Sequence, residues 1–169
     1  MTTPRIVAAL AILLILGGCA TAPPREVPAR GPSIVGRQAS PQALKKGSQV
    51  VMYAMGLLGV GYRFGGSNPS SGLDCSGMVS YIYRKAVDID LPHNARAIAR
   101  LGRKINVDQM IPGDLVFFNT LHRPFSHVGI YIGKGEFIHA PSSNGKIEIT
   151  RLSNPYFAQR LEAARTFFY

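Results

Sequence analysis

Asp74-Cys75-Ser76-Gly77-Met78-Val79-Ser80-Tyr81-Ile82-Tyr83-Arg84-Lys85-Ala86-Val87 reads as a capped helix with a thiol in its first turn. Cys75, Val79, Ile82 and Ala86 fall at i, i+4, i+7 and i+11, so one face is set against a core. Upstream, Ser40-Pro41 starts another helix, with Ser40 as cap and Pro41 in the first turn. Leu44, Val51, Ala54, Met55 and Leu58 form its expected apolar stripe. A glycine-rich loop over residues 65–72 joins the two helices, and Pro92-His93 leads into a shorter one over 95–101.

Beyond Pro112-Gly113-Asp114 the period changes from helical to alternating. Residues 115–118, 127–132, 136–140, 146–150 and 161–168 read as short strands bounded by turn residues. Helices first and strands after predict an α+β domain with an antiparallel sheet.

A thiolate, not a thiol, attacks carbonyl carbons. The positive end of the helix dipole and a histidine base both favour the thiolate, and unpaired N–H groups at the helix start can hold an oxyanion. Four histidines are available: His93, His122, His127 and His139. His122 lies in the polar loop Asn119-Thr120-Leu121-His122-Arg123-Pro124, which suits a solvated or rim position. His127 opens an alternating strand in which Val128, Ile130 and Ile132 share one face and His127, Gly129 and Tyr131 the other. If Gly133-Lys134-Gly135 is a three-residue loop, Ile132 pairs with Glu136 and Gly129 with His139. His139 then lies diagonally from His127 on one face, about 7–8 Å across the backbone. Gly129 leaves that approach open, whereas a two-residue loop would flip His139 to the other face. Each histidine by itself suits a structural role; with Cys75 they make a nucleophile, a base and an orienting group.

The N-terminus reads as an export signal. After Arg5, 11 apolar residues run from Ile6 to Leu16, too few to span a bilayer, which takes roughly 20. Leu16-Gly17-Gly18-Cys19 resembles the lipobox of bacterial lipoproteins, in which cleavage precedes a cysteine that becomes lipidated. Residues 1–18 are thus expected to be removed, and 19–40, with Pro23, Pro24, Pro28 and Pro32 among arginines, to tether a domain over 41–169. Ala20 rather than Asp after the cysteine suggests the outer membrane, by resemblance to Gram-negative lipoproteins. With Cys19 lipidated, Cys75 has no partner for an internal disulfide, and a lone thiol in an oxidising compartment is a candidate nucleophile.

Lys and Arg number 19 against 9 Asp and Glu, a formal net charge of +10. Export, and charges scattered singly or in pairs, argue against nucleic acid and for an anionic surface or polymer. No HExxH and no paired Cys/His spacing appears, so neither a metal nor a cofactor is expected.

Five segments in order carry a family resemblance: Gly61-Tyr62-Arg63-Phe64-Gly65-Gly66, Leu73-Asp74-Cys75-Ser76-Gly77, Pro112-Gly113-Asp114-Leu115-Val116-Phe117-Phe118, Ser126-His127-Val128-Gly129-Ile130-Tyr131-Ile132-Gly133 and Phe137-Ile138-His139-Ala140. From about Gln42 to Phe168 the chain resembles the NlpC-type cell-wall cysteine peptidases. Asn154-Pro155-Tyr156-Phe157, followed by Ala163 and Arg165, further resembles their lipoprotein murein endopeptidase branch, the MepS/Spr-like proteins. The resemblance implies a papain-like α+β fold and hydrolysis of peptidoglycan stem or crosslink amides, with Cys75 as nucleophile, His127 as base and then acid, and His139 orienting. It favours the D-Ala–diaminopimelate crosslink over the γ-D-Glu–diaminopimelate bond. It sets Tyr62 beside the nucleophile, where its hydroxyl can meet substrate or oxyanion, and Asp74 and Ser76 along the cleft. Asp74 serves equally well as a helix cap, and Tyr62 as a packing aromatic. Relatives often carry Arg followed by Ser or Thr after the proline at Pro92, whereas His93-Asn94-Ala95 follows here, so recognition of a free stem amine does not carry over. The partners implied are peptidoglycan and, through lipidated Cys19, outer-membrane lipid, with the protein a periplasmic monomer. Rival readings are a wall-binding lipoprotein without catalysis, and an amidase or transpeptidase of the same architecture.

Overall fold

Capping chemistry sets the helix starts. In a computed structural model, which describes residues 39–142 and 145–169, α1 spans Pro41–Met55, and the Ser40 hydroxyl accepts the Ala43 N–H at 3.1 Å. α2 spans Cys75–Val87 with Asp74 as its cap, and α3 spans Ala95–Leu101 with Asn94 as its cap. A two-stranded ribbon, β1 (Ser67–Asn68) and β2 (Gly72–Leu73), precedes α2. The proposed signal segment and Cys19 lie outside the described residues, as does the 19–40 tether apart from its last two residues.

The α1 stripe differs from expectation. Ala43, Gly47, Val50 and Ala54 are the buried residues, while Leu44, Met55 and Leu58 are exposed. The reason is a close approach: Gly47 lies against the Pro112 carbonyl, a contact that only small residues on α1 allow. On α2, Val79 and Ile82 are buried as expected, joined by Met78 and Tyr83, while Cys75 and Ala86 pack at the margin.

Six strands form one antiparallel sheet: β3 (Arg103–Ile105), β4 (Leu115–Phe118), β5 (His127–Gly133), β6 (Glu136–His139), β7 (Glu148–Arg151) and β8 (Leu161–Thr166), in the spatial order β3-β8-β4-β5-β6-β7. Neither β3 nor the ribbon was expected, their runs being too short to alternate visibly. Leu115, Phe117, Val128, Ile130 and Ile138 face the helices in the larger core. Val116, Phe118 and Phe137 face the other way, covered by Phe157 from the one-turn helix α4 (Pro155–Ala158). The α+β class and the two faces of β5 are therefore as read.

The β5–β6 turn is not. Tyr131 pairs with Phe137, but Gly133 pairs with Glu136, leaving a two-residue turn of Lys134 and Gly135, both at positive φ. A bulge between Tyr131 and Gly133, with Gly133 at φ 98°, inserts the extra residue and restores the parity. The register of the strand body is the expected one, reached by a different device.

One glycine fixes where α2 begins. A Cβ on Gly77 would lie 2.0 Å from the Gly66 carbonyl oxygen and 2.9 Å from His93 Nε2. Gly77→Ala should lower unfolding stability by about 1–3 kcal/mol, the range for overpacking a tight contact. Gly61→Ala, with nothing within 4 Å of its new methyl, should stay within about 0.5 kcal/mol by the same thermal melt.

Candidate active site

The start of α2 is held by one carboxylate. Asp74 Oδ1 accepts the Gly77 N–H at 2.7 Å and the Ser76 hydroxyl at 2.9 Å, while Oδ2 accepts the Gly65 N–H at 3.0 Å. His93 Nε2 lies 2.9 Å from both oxygens. Asp74 thus caps the helix and binds the 63–66 turn and the approach to α3 together. The histidine after Pro92 is its ion-pair or hydrogen-bond partner. Ser76, 7 % exposed, spends its hydroxyl on Asp74 as well.

The opposite wall comes from the sheet. His127 Nε2 is 3.0 Å from His139 Nδ1, with the rings edge to face at 5.1 Å between centroids. Both are buried, and the diagonal placement brings them into direct contact. His139 Nε2 continues to the Thr150 hydroxyl at 3.1 Å. Gly129 serves this geometry by another route than the one expected. A Cβ there would strike the Phe137 ring at 2.6 Å, so the glycine admits a ring that stacks obliquely on His139 at 5.0 Å.

Phe157 completes the packing, 4.9 Å from the His139 ring and 6.1 Å from that of His127. No expectation placed it here. Its signal was present in Asn154-Pro155, a cap followed by proline at the first helical position, which marks a helix start.

Cys75, His127, Tyr62, Asp74 and Ser76 line one cleft of about 570 Å³, so the structure brings the expected residues to a single place. Tyr62 is held by pairing of residues 59–62 alongside 145–147. His139 lies behind His127 rather than in the cleft lining, and His122 is exposed in a separate groove with Arg160 and Glu162. Two cations, Arg96 from α3 and Arg123 from the β4–β5 loop, also line the cleft. Among the described residues no cluster of His, Cys, Asp or Glu is arranged to hold a metal ion.

The electrostatics correct one expectation. Burial raises the Cys75 pKa to about 11; backbone bonding from Val128 opposes this, the Asp74 charge adds to it, and the amides of Ser76 and Cys75 oppose it further. A helix dipole is worth about 0.3–1 kcal/mol, less than one pKa unit, whereas desolvation moves buried groups by several. Burial therefore wins, and the resting sulfur is a thiol. Burial likewise lowers His127 to about 4, against a smaller upward pull from Asp74. His139 falls to about 3 through burial and then the neighbouring His127. Burial first, and then Cys75 and Asp74, raise the Tyr62 phenol above its usual value. At neutral pH the site is a neutral thiol beside two neutral imidazoles.

Residues 59–166 match the NlpC/P60 family. Among curated proteins, the chain is 43 % identical over 119 residues to Gamma-DL-glutamyl hydrolase of Bacillus subtilis, covering 70 % of this chain and 29 % of that one. It is 38 % identical over 107 residues to Murein DD-endopeptidase MepS/Murein LD-carboxypeptidase of Escherichia coli K12, covering 63 % and 55 %. It thus spans little more than half, or less, of the length of these relatives. Among solved structures, the NlpC/p60 domain of the peptidoglycan hydrolase SagA superposes with a TM-score of 0.63 at 31 % identity, covering 72 % of this chain and 98 % of that one. The thiol at a capped helix start and the bonded histidine pair lie within a match that takes in most of the folded domain, and the chain belongs to the NlpC/P60 family.

Proposed function

We propose that this chain is a peptidoglycan endopeptidase working through Cys75, His127 and His139, and that lipidated Cys19 tethers it to the outer membrane. The observation that carries the reading is the cleft lined both by Cys75, at the capped start of α2, and by His127, itself bonded to His139.

His127 Nε2 is engaged by His139, so Nδ1 is the nitrogen left to take the thiol proton. With both partners neutral at rest, proton transfer accompanies attack. The Cys75 proton moves to His127 Nδ1 as sulfur bonds the carbonyl carbon. The oxyanion gathers donors from the first α2 amides, with the Tyr62 hydroxyl at hand. The amine leaves with the proton from His127, giving a thioester. Water, deprotonated by His127, then releases the acid and restores the thiol. Asp74 and Ser76 shape the cleft wall through the cap they share.

Arg96 and Arg123 face a cleft whose one lining carboxylate, Asp74, is already occupied. That suits a substrate rich in carboxylates, as wall stem peptides are. Similarity to a protein named as a DD-endopeptidase supports the D-Ala–diaminopimelate crosslink. Similarity to one named as a γ-DL-glutamyl hydrolase supports the γ-D-Glu–diaminopimelate bond as the second reading.

Digestion of purified peptidoglycan by the purified chain, followed by product masses, separates the two. Loss of crosslinked dimers is expected, and stem fragments cut after D-Glu would favour the second bond. No release beyond that of Cys75→Ala from any sacculus would overturn the enzyme reading.

The resting protonation states give a second expectation. A folded thiol pKa raised to about 11 means thiolate is scarce at neutral pH and grows as pH rises toward that value. Iodoacetamide alkylation of Cys75 should therefore climb steadily between pH 7 and 10. A plateau already reached by pH 6 would indicate a thiolate–imidazolium pair instead.

For the tether, Cys19→Ser should release the protein into the soluble periplasmic fraction with hydrolysis unchanged in vitro. Continued membrane retention would refute lipid anchoring at Cys19.

A further inference from the structure

The 3.0 Å contact between His127 Nε2 and His139 Nδ1 holds one proton, and two arrangements satisfy it. Either His127 donates from Nε2, or His139 donates from Nδ1. Both rings are neutral, so each carries a single N–H. In the second arrangement His127 keeps its own proton on Nδ1, the nitrogen that must accept from Cys75, and the base is blocked.

The selection lies behind His139. β6 pairs with β7 so that His139 is opposite Glu148 and Phe137 opposite Thr150. Alternation along β7 then sets Glu148 and Thr150 on the same face as His139. The Thr150 hydroxyl is 3.1 Å from His139 Nε2, and a Glu148 carboxylate oxygen is 3.6 Å from the same nitrogen. A hydroxyl can give or accept a proton, but a carboxylate only accepts. Its charge beside a buried nitrogen favours the proton on Nε2, where the Thr150 oxygen can accept it. His139 Nδ1 is then bare and takes the N–H of His127.

We propose that Glu148 and Thr150 are positioning residues that fix the tautomer of His139 and thereby leave His127 Nδ1 free to accept the Cys75 proton. The proposal rests on the hydrolytic reading given above. No proton leaves His127 along this line: its Nε2–H stays with it while Nδ1 is protonated, and His139 remains neutral throughout. Glu148 is 56 % exposed, so solvent screens its distant field, and its effect is local, on the position of one proton.

The test pairs tautomer with turnover. In the 15N-histidine-labelled chain, long-range proton–nitrogen spectra report which nitrogen of each ring is protonated. Wild type should show Nε2–H on both His127 and His139. Glu148→Leu with Thr150→Val removes both acceptors, and both rings should move to Nδ1–H. On peptidoglycan fragments kcat should fall about 10- to 100-fold, the usual range for groups that orient a reacting histidine, with KM changed less than twofold. Glu148→Asp with Thr150→Ser keeps a carboxylate and a hydroxyl at the two positions and should retain the Nε2–H tautomers and most of kcat. If the double apolar variant does not fold, Glu148→Leu alone, which removes the charge that selects the tautomer, should still raise the Nδ1–H population of both rings. Unchanged Nε2–H signals in the apolar variant, or an equal loss of kcat in the conservative pair, would overturn the proposal. The spectra do not depend on hydrolysis, so a tautomer shift in a chain that cleaves nothing would sink the enzyme reading while leaving the hydrogen-bond line intact.

Discussion

The Asp74 carboxylate holds together the segments from which the cleft is built. Its two oxygens serve the Gly77 amide, the Ser76 hydroxyl, the Gly65 amide and His93, so one side chain joins the start of α2 to the 63–66 turn and to the residues leading into α3. A helix cap alone is worth about 1 kcal/mol, and hydrogen bonds to a charged group about 1.5–3 kcal/mol. The position of Cys75 follows from this joint, because a helix pinned at its first turn cannot slide along its axis. The close approach of Gly77 to the Gly66 carbonyl adds a steric stop in the same place. The cost falls on the thiol, which lies beside a fixed negative charge.

The other wall depends on a parity that the hairpin restores locally. A two-residue turn between β5 and β6, without correction, would carry His139 to the helix side of the sheet. The bulge at Gly133 returns it to the face of His127, where Phe118, Phe137 and Phe157 enclose both rings. That enclosure explains why both imidazoles stay neutral. Burial withholds water from both rings, and His127 adds to the cost of charging His139.

How far the sequence revealed this differs by scale. Placement of α2, α3, β4 and β5 was legible because each is bounded by proline, glycine or a capping residue, and β5 alternates cleanly. The face of α1 was not, since hydrophobicity pointed to Leu44 and Met55 while packing against the Pro112 carbonyl required Ala43 and Gly47. At the candidate site, the placement of Cys75 and His127 was legible from helix start and strand alternation, and that of His139 from register. Phe157, Thr150 and Glu148 were not, because their importance comes from β6–β7 pairing and from a one-turn helix, neither of which leaves a periodic trace. The balance of influences on the thiol was not legible for a related reason. A dipole can be inferred from a helix start, but desolvation depends on what covers it.

The neutral resting site bears on how such chemistry proceeds. Where thiol and imidazole pKa values lie far apart and in the order found here, a standing ion pair is the minor state, and in the proposed mechanism Cys75 is a thiolate only while a substrate carbonyl is being attacked. The positive charge on His127 is then brief, and the groups that matter are those that accept its Nε2–H without taking the proton. In the proposed mechanism His139, buried and 3.0 Å from His127 Nε2, fills that place. Asp74 favours the same transient cation from the cleft side, since its charge is the one influence raising the His127 pKa. The carboxylate that disfavours a thiolate at Cys75 thus favours an imidazolium at His127, and in the proposed mechanism this ties attack on substrate to the proton transfer that accompanies it.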